Sequence, residues 1–494
     1  MKKIKNSTKN NGQVFTPDYL VKNMLDYCNY SGDNIVKKHI IDNSCGDDAF
    51  LKEIVKRFCE CYTKQNYNKE DLRKDLQEYI HGIELDKQEY EHCLKNLDEI
   101  VKGYGVGKVN WDIKNGNALI IKEYNKRMDF VVGNPPYVRV HNLENNYNDV
   151  KQFLFANGGM TDLYLVFFEI GFKMLNNKGQ LCYITPSSWL TSKAAENMRS
   201  YIKYEKNLLS LIDLEHFQPF EATAYTLISI FENNTRGIEF DYYTYNGESK
   251  EREFIDRLSY EETYIGKNLY LGTKEKLKEL KRIKCSFSEN KARVKNGFAT
   301  LADDVFIGDL PFDKFTINVL KASTGKWYKG FFPYNENGKP LPKEEIFSDK
   351  EVETYLNEKS EILLKGKRKE DSKGWYLYGR TQALADVFVN KYAINTIIKD
   401  KSSIKLNVVQ KGSGLYSGLY ITSNVDFETI KKVLNSEEFL DYIKILRNYK
   451  SGGYYTFNSK DLEQFLNYKL KHFNNDKTRN SHAVRQRSLF ESDF

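Results

Sequence analysis

The segment from Asp129 to Tyr137 constrains the fold of this chain more than any other part of the sequence. The apolar run Phe130 to Val132 predicts a short buried strand, and the glycine and two prolines after it prevent strand or helix from continuing. The chain therefore turns abruptly there and presents a carboxamide, a backbone carbonyl that no neighbouring amide easily reaches, and an aromatic ring. Together these groups suit a planar ring that bears an exocyclic amine.

The tetrapeptide at this turn, Asn134-Pro135-Pro136-Tyr137, resembles the catalytic motif of S-adenosylmethionine-dependent amino-methyltransferases, above all the DNA adenine-N6 methyltransferases. The resemblance implies that the Asn134 side-chain oxygen and the Pro135 carbonyl accept the two N–H bonds of the target amine. The amine lone pair could then attack the sulfonium methyl. The Tyr137 ring would stack on a base rotated out of the duplex. A motif this short is also compatible with a plain proline-rich turn after a strand.

A second segment, Ile40 to Leu51, has an apolar strand, a tight turn with a glycine, and then a helical pattern. It resembles the cofactor loop of the same family, whose backbone approaches the methionine part of S-adenosylmethionine. The residues it assigns to the cofactor are Asp42, Ser44, Cys45 and Gly46. One position departs from the family, because Asp48 stands where a second glycine is usual. A left-handed backbone there costs a non-glycine residue about 1–2 kcal/mol. The Asp48 carboxylate could either attract the sulfonium and ammonium groups of the cofactor or repel its carboxylate. We expect weak cofactor binding, which Asp48→Gly would tighten by about tenfold.

Two further positions resemble cofactor-binding motifs of the family. Glu84 ends a second predicted strand, where a carboxylate can accept bonds from both ribose hydroxyls. Asn117 stands where an Asp usually receives the N–H of the cofactor adenine, and its amide oxygen can still accept that bond. Each segment alone is compatible with an ordinary turn or loop. Their order and spacing ahead of the catalytic tetrapeptide favour the functional interpretation.

The N-terminal segment Gly12 to Pro17 predicts a helix capped by Thr16, with Pro17 in its first turn. It resembles the segment that covers the cofactor in the gamma arrangement of DNA methyltransferases, which assigns Thr16 to the cofactor. An ordinary capped helix is the alternative. In the family an aromatic residue near position 220 packs on the opposite face of the flipped base. We expect Phe220 in that role, with Phe217 as the alternative, although either ring could belong to the core.

Strands alternate with helical patterns from about residue 10 to 235, which predicts an α/β fold with a doubly wound, Rossmann-like sheet. The cofactor loop and the catalytic turn both follow strands, so they should meet at the carboxyl ends of the sheet. The polar stretch 140–159 is predicted to be a mobile loop that orders on substrate binding. We expect a catalytic domain over 1–235, a mixed α+β target-recognition region over 236–465, and a basic, flexible tail over 466–494.

Three stretches of the C-terminal region, 294–300, 375–382 and 450–457, resemble the recognition region of one large subgroup of these enzymes. They combine cationic side chains for phosphates or guanine edges, a glutamine suited to adenine, and glycines. The residues predicted to contact DNA are Arg380, Gln382, Lys450 and Tyr454. Each of them could equally be scaffold or solvated surface.

Composition agrees with an intracellular enzyme that binds a polyanion. The net charge of +7 is mildly basic, and the seven cysteines show no metal-binding spacing, so we expect no metal and reduced, mostly buried thiols. Neither a signal peptide nor an apolar stretch long enough to span a membrane is present. The sequence therefore predicts a cytoplasmic protein without membrane association.

These features predict a site-specific methyltransferase that uses S-adenosylmethionine to methylate N6 of adenine in double-stranded DNA. It would be the modification part of a restriction-modification system, and a separate cognate endonuclease is compatible with it. The departures at Asp48 and Asn117 leave open a noncatalytic DNA-binding relative. A protein-glutamine N5 methyltransferase is also an alternative, but that family lacks the N-terminal Thr-Pro segment and a large C-terminal domain.

Overall fold

The computed structural model describes residues 15–46, 48–64, 68–140, 147–156, 161–220, 224–286, 290–365 and 374–471. The chain divides into two compact units, the first ending at Lys278 and the second beginning at Glu279.

The first unit is built on a sheet of nine described strands. They are β1 (Ile40–Asp42), β2 (Ile80–Glu84), β3 (Asp112–Asn115), β4 (Met128–Gly133), β5 (Leu175–Pro186), β6 (Leu208–Asp213), β7 (Thr226–Glu232), β8 (Glu239–Asn246) and β9 (Glu251–Ser259). Across the sheet they follow the order β3-β2-β1-β4-β5-β7-β6-β8-β9. The pairs from β3 to β5 are parallel, whereas β7 is antiparallel to both of its neighbours. The predicted doubly wound α/β sheet is confirmed.

Helices connect these strands. They are α1 (Asp18–Tyr27), α2 (Ala49–Lys64), α3 (Lys69–Tyr79), α4 (Lys87–Gly103), α5 (Tyr147–Val150), α6 (Leu163–Met174), α7 (Glu196–Glu205), α8 (Tyr260–Thr263) and α9 (Lys274–Cys285). A short hairpin, β10 (Tyr264–Ile265) and β11 (Asn268–Leu269), follows α8. The apolar stripe of α2 is fully buried in a core shared with α1, α4 and the sheet, because its apolar residues recur at helical spacing.

The start of α1 differs from the prediction. Its N-cap is Pro17, and no side chain caps it. Thr16 is buried and its hydroxyl is bonded elsewhere, to the Asn134 amide, so the predicted capping role is wrong. The long-range bond uses the hydroxyl oxygen that a cap would need.

Residues 236–278 extend the first unit beyond the predicted domain end. Strand β8 pairs in parallel with β6, and β9 pairs with β8 as the edge strand. Charged residues such as Glu253 and Arg257 occupy much of β9, as is common on edges that must not pair with other chains. The predicted boundary at residue 235, between a catalytic domain and a recognition region, concerns function and stays a prediction. The division between the two compact units falls within α9.

Part of the predicted mobile loop after the catalytic turn is packed. In the described stretch 147–156, Val150, Phe153 and Phe155 are buried. The backbone amide of Phe155 donates to a Glu169 carboxylate oxygen on α6 at 2.9 Å. That stretch is therefore packed against α6, whereas its ordering on substrate binding stays a prediction. Residues 141–146 and 157–160 lie outside the described residues.

The second unit has three small sheets and several short helices, which confirms the predicted mixed α+β region. The sheets are ordered β12-β20-β16-β18, β13-β15-β14-β19 and β17-β22-β21, where the strands are β12 (Ala292–Asn296), β13 (Ile307–Gly308), β14 (Thr316–Lys321), β15 (Lys326–Phe331), β16 (Lys391–Ile394), β17 (Ile397–Ile398), β18 (Leu406–Val409), β19 (Gly414–Tyr416), β20 (Leu419–Ser423), β21 (Tyr449–Lys450) and β22 (Tyr454–Thr456). The helices are α10 (Asp303–Phe306), α11 (Lys343–Ile346), α12 (Lys350–Glu358), α13 (Ser360–Leu364), α14 (Phe427–Leu434), α15 (Glu437–Ile445) and α16 (Ser459–Leu470).

The predicted flexible tail begins inside α16. Leu466, Asn467 and Leu470 are buried there, and the Asn467 amide donates to the Ala292 carbonyl of β12 at 2.9 Å. Residues 466–470 are thus helical and packed. Residues 472–494 lie outside the described residues.

Candidate active site

A cavity of about 270 Å³ opens at the carboxyl ends of β1, β2, β3 and β4. Parallel neighbouring strands end at the same edge of a sheet, which brings together residues that are far apart in sequence. Every residue that the sequence assigned to the cofactor lines this cavity, namely Thr16, Asp42, Ser44, Cys45, Gly46, Glu84 and Asn117. Asn134 of the catalytic turn lines it as well. The assigned roles stay predictions, but the assigned residues share one site.

Two carboxylates hold the loop after β1. An Asp42 oxygen accepts the Ser44 amide at 3.0 Å, and a Glu84 oxygen accepts the Gly46 amide at 2.8 Å. Gly46 has a φ of 46°, a left-handed conformation that glycine adopts without strain. The other Glu84 oxygen accepts the Asp86 amide at 2.7 Å, and burial raises the pKa of Glu84. Each Glu84 oxygen keeps a lone pair with which to accept a ligand hydroxyl.

Asp48 has the left-handed conformation expected for its position, with a φ of 64°. Its buried carboxylate pairs with the Lys52 ammonium at 2.7 Å and accepts the Asn96 amide at 2.8 Å. Asp48 is not among the residues that line the cavity. The sequence left open whether this carboxylate would attract or repel charged groups of the cofactor. The structure instead places it against the protein's own cation and amide. The side chain therefore gives no reason for weak cofactor binding, and the left-handed backbone remains the physical basis of that prediction.

Asn117 forms a local turn that lines the cavity. Its side-chain oxygen accepts the Leu119 amide at 3.0 Å. An amide oxygen has two lone pairs, so this bond leaves room for the predicted bond from an adenine amine.

Sequence reasoning missed two apolar side chains of the cavity. Phe15 is 51% exposed and Leu85 is 63% exposed, and both line it. Large apolar groups with this much exposure are suited to contact a planar ring. The sequence could have indicated both side chains, because Phe15 directly precedes Thr16 and Leu85 directly follows Glu84.

A hydrogen bond and a close backbone approach hold the catalytic turn against residues assigned to the cofactor. The Asn134 amide nitrogen donates to the Thr16 hydroxyl at 3.2 Å, which sets the orientation of the carboxamide. Gly133 has a φ of 150°, and a Cβ atom there would lie 2.8 Å from an Asp42 carboxylate oxygen. Only glycine fits at this point, because both the backbone conformation and the space exclude a side chain.

Pro135 is buried beside the cavity, and the Tyr137 ring is half-buried. The Tyr137 hydroxyl donates to the Ile184 carbonyl at 3.2 Å, and its ring meets the Tyr164 ring edge-on at 6.3 Å. Burial holds the pKa of Tyr137 well above its usual value, so the phenol stays neutral. The contacts hold the ring in place, and its predicted stacking on a base stays a prediction.

Both candidate aromatics after β6 are packed against the protein. Phe220 is only 8% exposed and belongs to the core, while Phe217 stacks on Tyr245 with ring centroids 5.5 Å apart. The three residues after Phe220 lie outside the described part of the chain. A role for either ring at a target base therefore stays a prediction.

The four residues predicted to contact DNA lie in the second unit. Arg380 and Lys450 are exposed, and Tyr454 is 36% exposed, with the Lys399 ammonium 5.8 Å from its ring centroid. The exposed Gln382 donates its amide to the Gly297 carbonyl at 2.9 Å. That bond joins the first two recognition stretches, whereas the third stretch forms part of the sheet β17-β22-β21. Lys450 and Tyr454 are neighbours across β21 and β22, whereas Gln382 contacts the first recognition stretch.

Among the described residues, no cluster of three or more His, Cys, Asp and Glu side chains is placed to bind a metal. Within the described residues the seven cysteines form no disulfide bond, and all except Cys285 are buried, in agreement with the predicted burial. A search of the described helices finds none that is long and apolar enough to cross a membrane.

Residues 44–220 match the family model of the Eco57I restriction-modification methylase. This match confirms the resemblance to restriction-modification methylases that the motifs indicated. The chain is 28% identical to the type II methyltransferase M.BstVI of Geobacillus stearothermophilus, over 46% of this chain and 43% of that protein. It is 24% identical to the type II restriction enzyme and methyltransferase RM.Eco57I of Escherichia coli, over 86% of this chain and 53% of that protein.

Among solved structures, the type IIL restriction-modification enzyme MmeI in complex with DNA has a similar fold. The TM-score is 0.58 at 14% sequence identity, and the match covers 89% of this chain and 63% of that one. This chain spans about half the length of the two curated relatives described above. The fold is shared along most of the chain.

Proposed function

We propose that this chain, whose residues 44–220 match the Eco57I-type methylase family, is a site-specific DNA methyltransferase that acts on N6 of adenine. It would use S-adenosylmethionine, act on double-stranded DNA, and serve as the modification activity of a restriction-modification system. One observation carries the proposal. A single cavity gathers the seven cofactor-assigned residues around the carboxamide of Asn134.

The cavity fits the cofactor by the chemistry of its donor set. Glu84 offers two carboxylate oxygens to a pair of hydroxyls, and Asn117 offers an amide oxygen to an exocyclic amine. Leu85 and Phe15 present apolar surface suited to a planar ring. When bound, S-adenosylmethionine supplies an activated methyl group on a sulfonium.

The catalytic turn can prepare an exocyclic amine for that group. The Asn134 nitrogen is engaged by Thr16, so the Asn134 oxygen acts as the acceptor for one amine N–H. The Pro135 carbonyl, at a position where the prolines remove backbone donors, accepts the second N–H. Both bonds draw the amine toward tetrahedral geometry and localise its lone pair. The localised lone pair would then accept the methyl group that S-adenosylmethionine supplies, with S-adenosylhomocysteine as the leaving group, and the amine would release one proton.

The deciding experiment incubates the purified full chain with unmethylated plasmid DNA and S-adenosylmethionine, followed by mass spectrometry of the nucleosides and by sequencing that detects modified bases. The expected product is N6-methyladenine in one sequence context. N4-methylcytosine as the sole product would overturn the adenine assignment. DNA binding without any methylation would favour a noncatalytic relative, and methylation of a glutamine-containing protein instead of DNA would favour the protein methyltransferase.

A further inference from the structure

The turn of the β8–β9 hairpin contacts α1, which begins beside the cavity, and the segment of the aromatic residues that are predicted to pack on a target base. Lys250 closes this turn in a left-handed conformation, with a φ of 61°. Its carbonyl accepts the Tyr245 hydroxyl at 3.0 Å and the side-chain amide of Asn23 on α1. The Asn23 amide also lies 3.2 Å from the Tyr245 hydroxyl. The backbone of the turn is thus tied directly to α1.

The Lys250 side chain makes the second connection. Its ammonium lies 4.9 Å from the ring centroid of Tyr19 on α1 and 4.5 Å from that of Phe217 after β6. Both distances are in the range of attractive cation–π contacts. The Phe217 ring also stacks on Tyr245, and Gly247 gives it room, because a Cβ atom at 247 would lie 2.5 Å from the ring.

Lys250 joins a segment that borders the cavity to a segment that is predicted to face a target base. Tyr19 is in the first turn of α1, three residues after Thr16, which lines the cavity together with Phe15. Phe217 stands three residues before Phe220, the ring predicted to face a target base. The distal end of α1 is held separately, since the Arg252 guanidinium lies 4.3 Å from the Tyr27 ring. Lys250 therefore acts at the end of α1 that is nearest the cavity.

We propose that Lys250 is a positioning residue that couples the cofactor-side segment, Phe15 to Tyr19, to the aromatic segment, Phe217 to Phe220. A ligand that orders one segment then favours the ordered form of the other, and such a coupling is reciprocal. The identity of the two ligands, S-adenosylmethionine and an extrahelical base, rests on the proposed function. The contacts of Lys250 do not.

The first test is hydrogen exchange in the ligand-free full chain. The Lys250→Met variant keeps the aliphatic stem but removes the charge, and Lys250→Arg keeps the charge. A matched control, Lys203→Met, removes a cation–π contact to Tyr264 on another face of the first unit. The expected result is faster exchange of the amides of both 18–22, the first part of α1, and 217–220 in Lys250→Met, with near-normal exchange in the other two. Acceleration in one segment alone, or in neither, would overturn the coupling.

The second test is steady-state methylation of plasmid DNA. In Lys250→Met we expect the KM values for S-adenosylmethionine and for plasmid to rise together by about three- to tenfold, with a smaller change in kcat, because loss of two cation–π contacts weakens positioning. Lys250→Arg should restore both KM values to within about twofold. A fall in kcat with unchanged KM values contradicts the proposal.

A third variant tests the same coupling without replacing Lys250. Gly247→Ala pushes on the Phe217 ring and leaves the lysine in place, so it should reproduce the joint rise in KM if the coupling runs through this ring. Unaltered kinetics in Gly247→Ala would exclude that route. If the unaltered chain methylates no DNA, the proposed function fails, while hydrogen exchange still decides whether Lys250 couples the two segments.

Discussion

The two units of this protein differ in how their predicted functional residues are arranged. In the first unit, motifs spread from Thr16 to Asn134 end at one cavity, because each follows a strand of a parallel sheet or packs on such a strand. In the second unit, Gln382 and Lys450 belong to separate substructures, and each is exposed with its own local contacts. Sequence motifs therefore define a site directly where the topology gathers strand ends, and much less well where small sheets present scattered loops.

The largest effect is expected at the centre of the converged site. Asn134→Ala should lower methylation by far more than tenfold and leave S-adenosylmethionine affinity nearly unchanged, because the carboxamide acts on the target amine. Single-turnover methylation and calorimetric titration measure the two quantities. A rate within about tenfold of the parent, a loss below about 1.4 kcal/mol of transition-state stabilisation, would show that Asn134 lacks the assigned role.

Gly133→Ala tests whether the catalytic turn and the cofactor loop form one unit. The added methyl would meet the Asp42 carboxylate and would strain a backbone with a φ of 150°. We expect about 1–3 kcal/mol lower stability and at least a tenfold loss of activity. The matched control is Gly103→Ala, where a Cβ atom meets nothing within 4 Å. Equal melting temperatures and rates for the two variants would contradict this account.

Thr16→Val tests the contact that joins the N-terminal segment to Asn134. Valine keeps the shape of threonine but removes the hydroxyl that accepts the Asn134 amide, so the carboxamide loses its fixed orientation. A lost neutral hydrogen bond of about 1 kcal/mol corresponds to about a fivefold lower methylation rate. Thr16→Ser should retain most of the rate. If valine and serine behave alike, the hydroxyl does not orient Asn134.

The second unit should respond in a more distributed way. Arg380→Ala or Lys450→Ala is expected to weaken DNA binding by a few-fold and to reduce the slope of log affinity against log salt by about 1, since each removes a candidate phosphate contact. Fluorescence anisotropy over a salt series measures the slope. Lys350→Ala, an exposed lysine of α12 outside the three stretches, is the control. A slope that falls equally in the control would remove the distinction between these stretches and the general surface.

The smallest effect is expected at Asp48. The sequence predicts that Asp48→Gly tightens S-adenosylmethionine binding by about tenfold, whereas the structure predicts a change within about twofold, because the carboxylate faces Lys52 and Asn96. Calorimetric titration of both forms distinguishes the two. Tenfold tightening would mean that the Asp48 backbone, rather than its side chain, limits cofactor binding.

The sequence predicts well the features that are determined by residues close together in the chain. The ends of β1, β2 and β4 are marked by apolar runs and turn residues, and these signals locate the cavity. The Thr16 to Asn134 bond spans 118 residues and leaves no local trace, so Thr16 was assigned to a helix cap. Of the two partners of Asp48, Lys52 is at local i,i+4 spacing, whereas Asn96 was equally invisible because it lies on a different helix. The continuation of the sheet by β8 and β9 was missed because their many tyrosines and charges resemble the irregular pattern farther along the chain.

The hydrogen bond between Glu84 and Gly46 restricts how the cavity can be redesigned. Glu84 is at once the group suited to a ribose and the support of the glycine loop, so replacing it to admit a cofactor analogue would also loosen the floor of the cavity. The side chains of Leu85 and Phe15 are exposed and do not support the loop in this way. Trimming either of them is therefore the better way to admit synthetic cofactors with enlarged bases, because it leaves the loop intact.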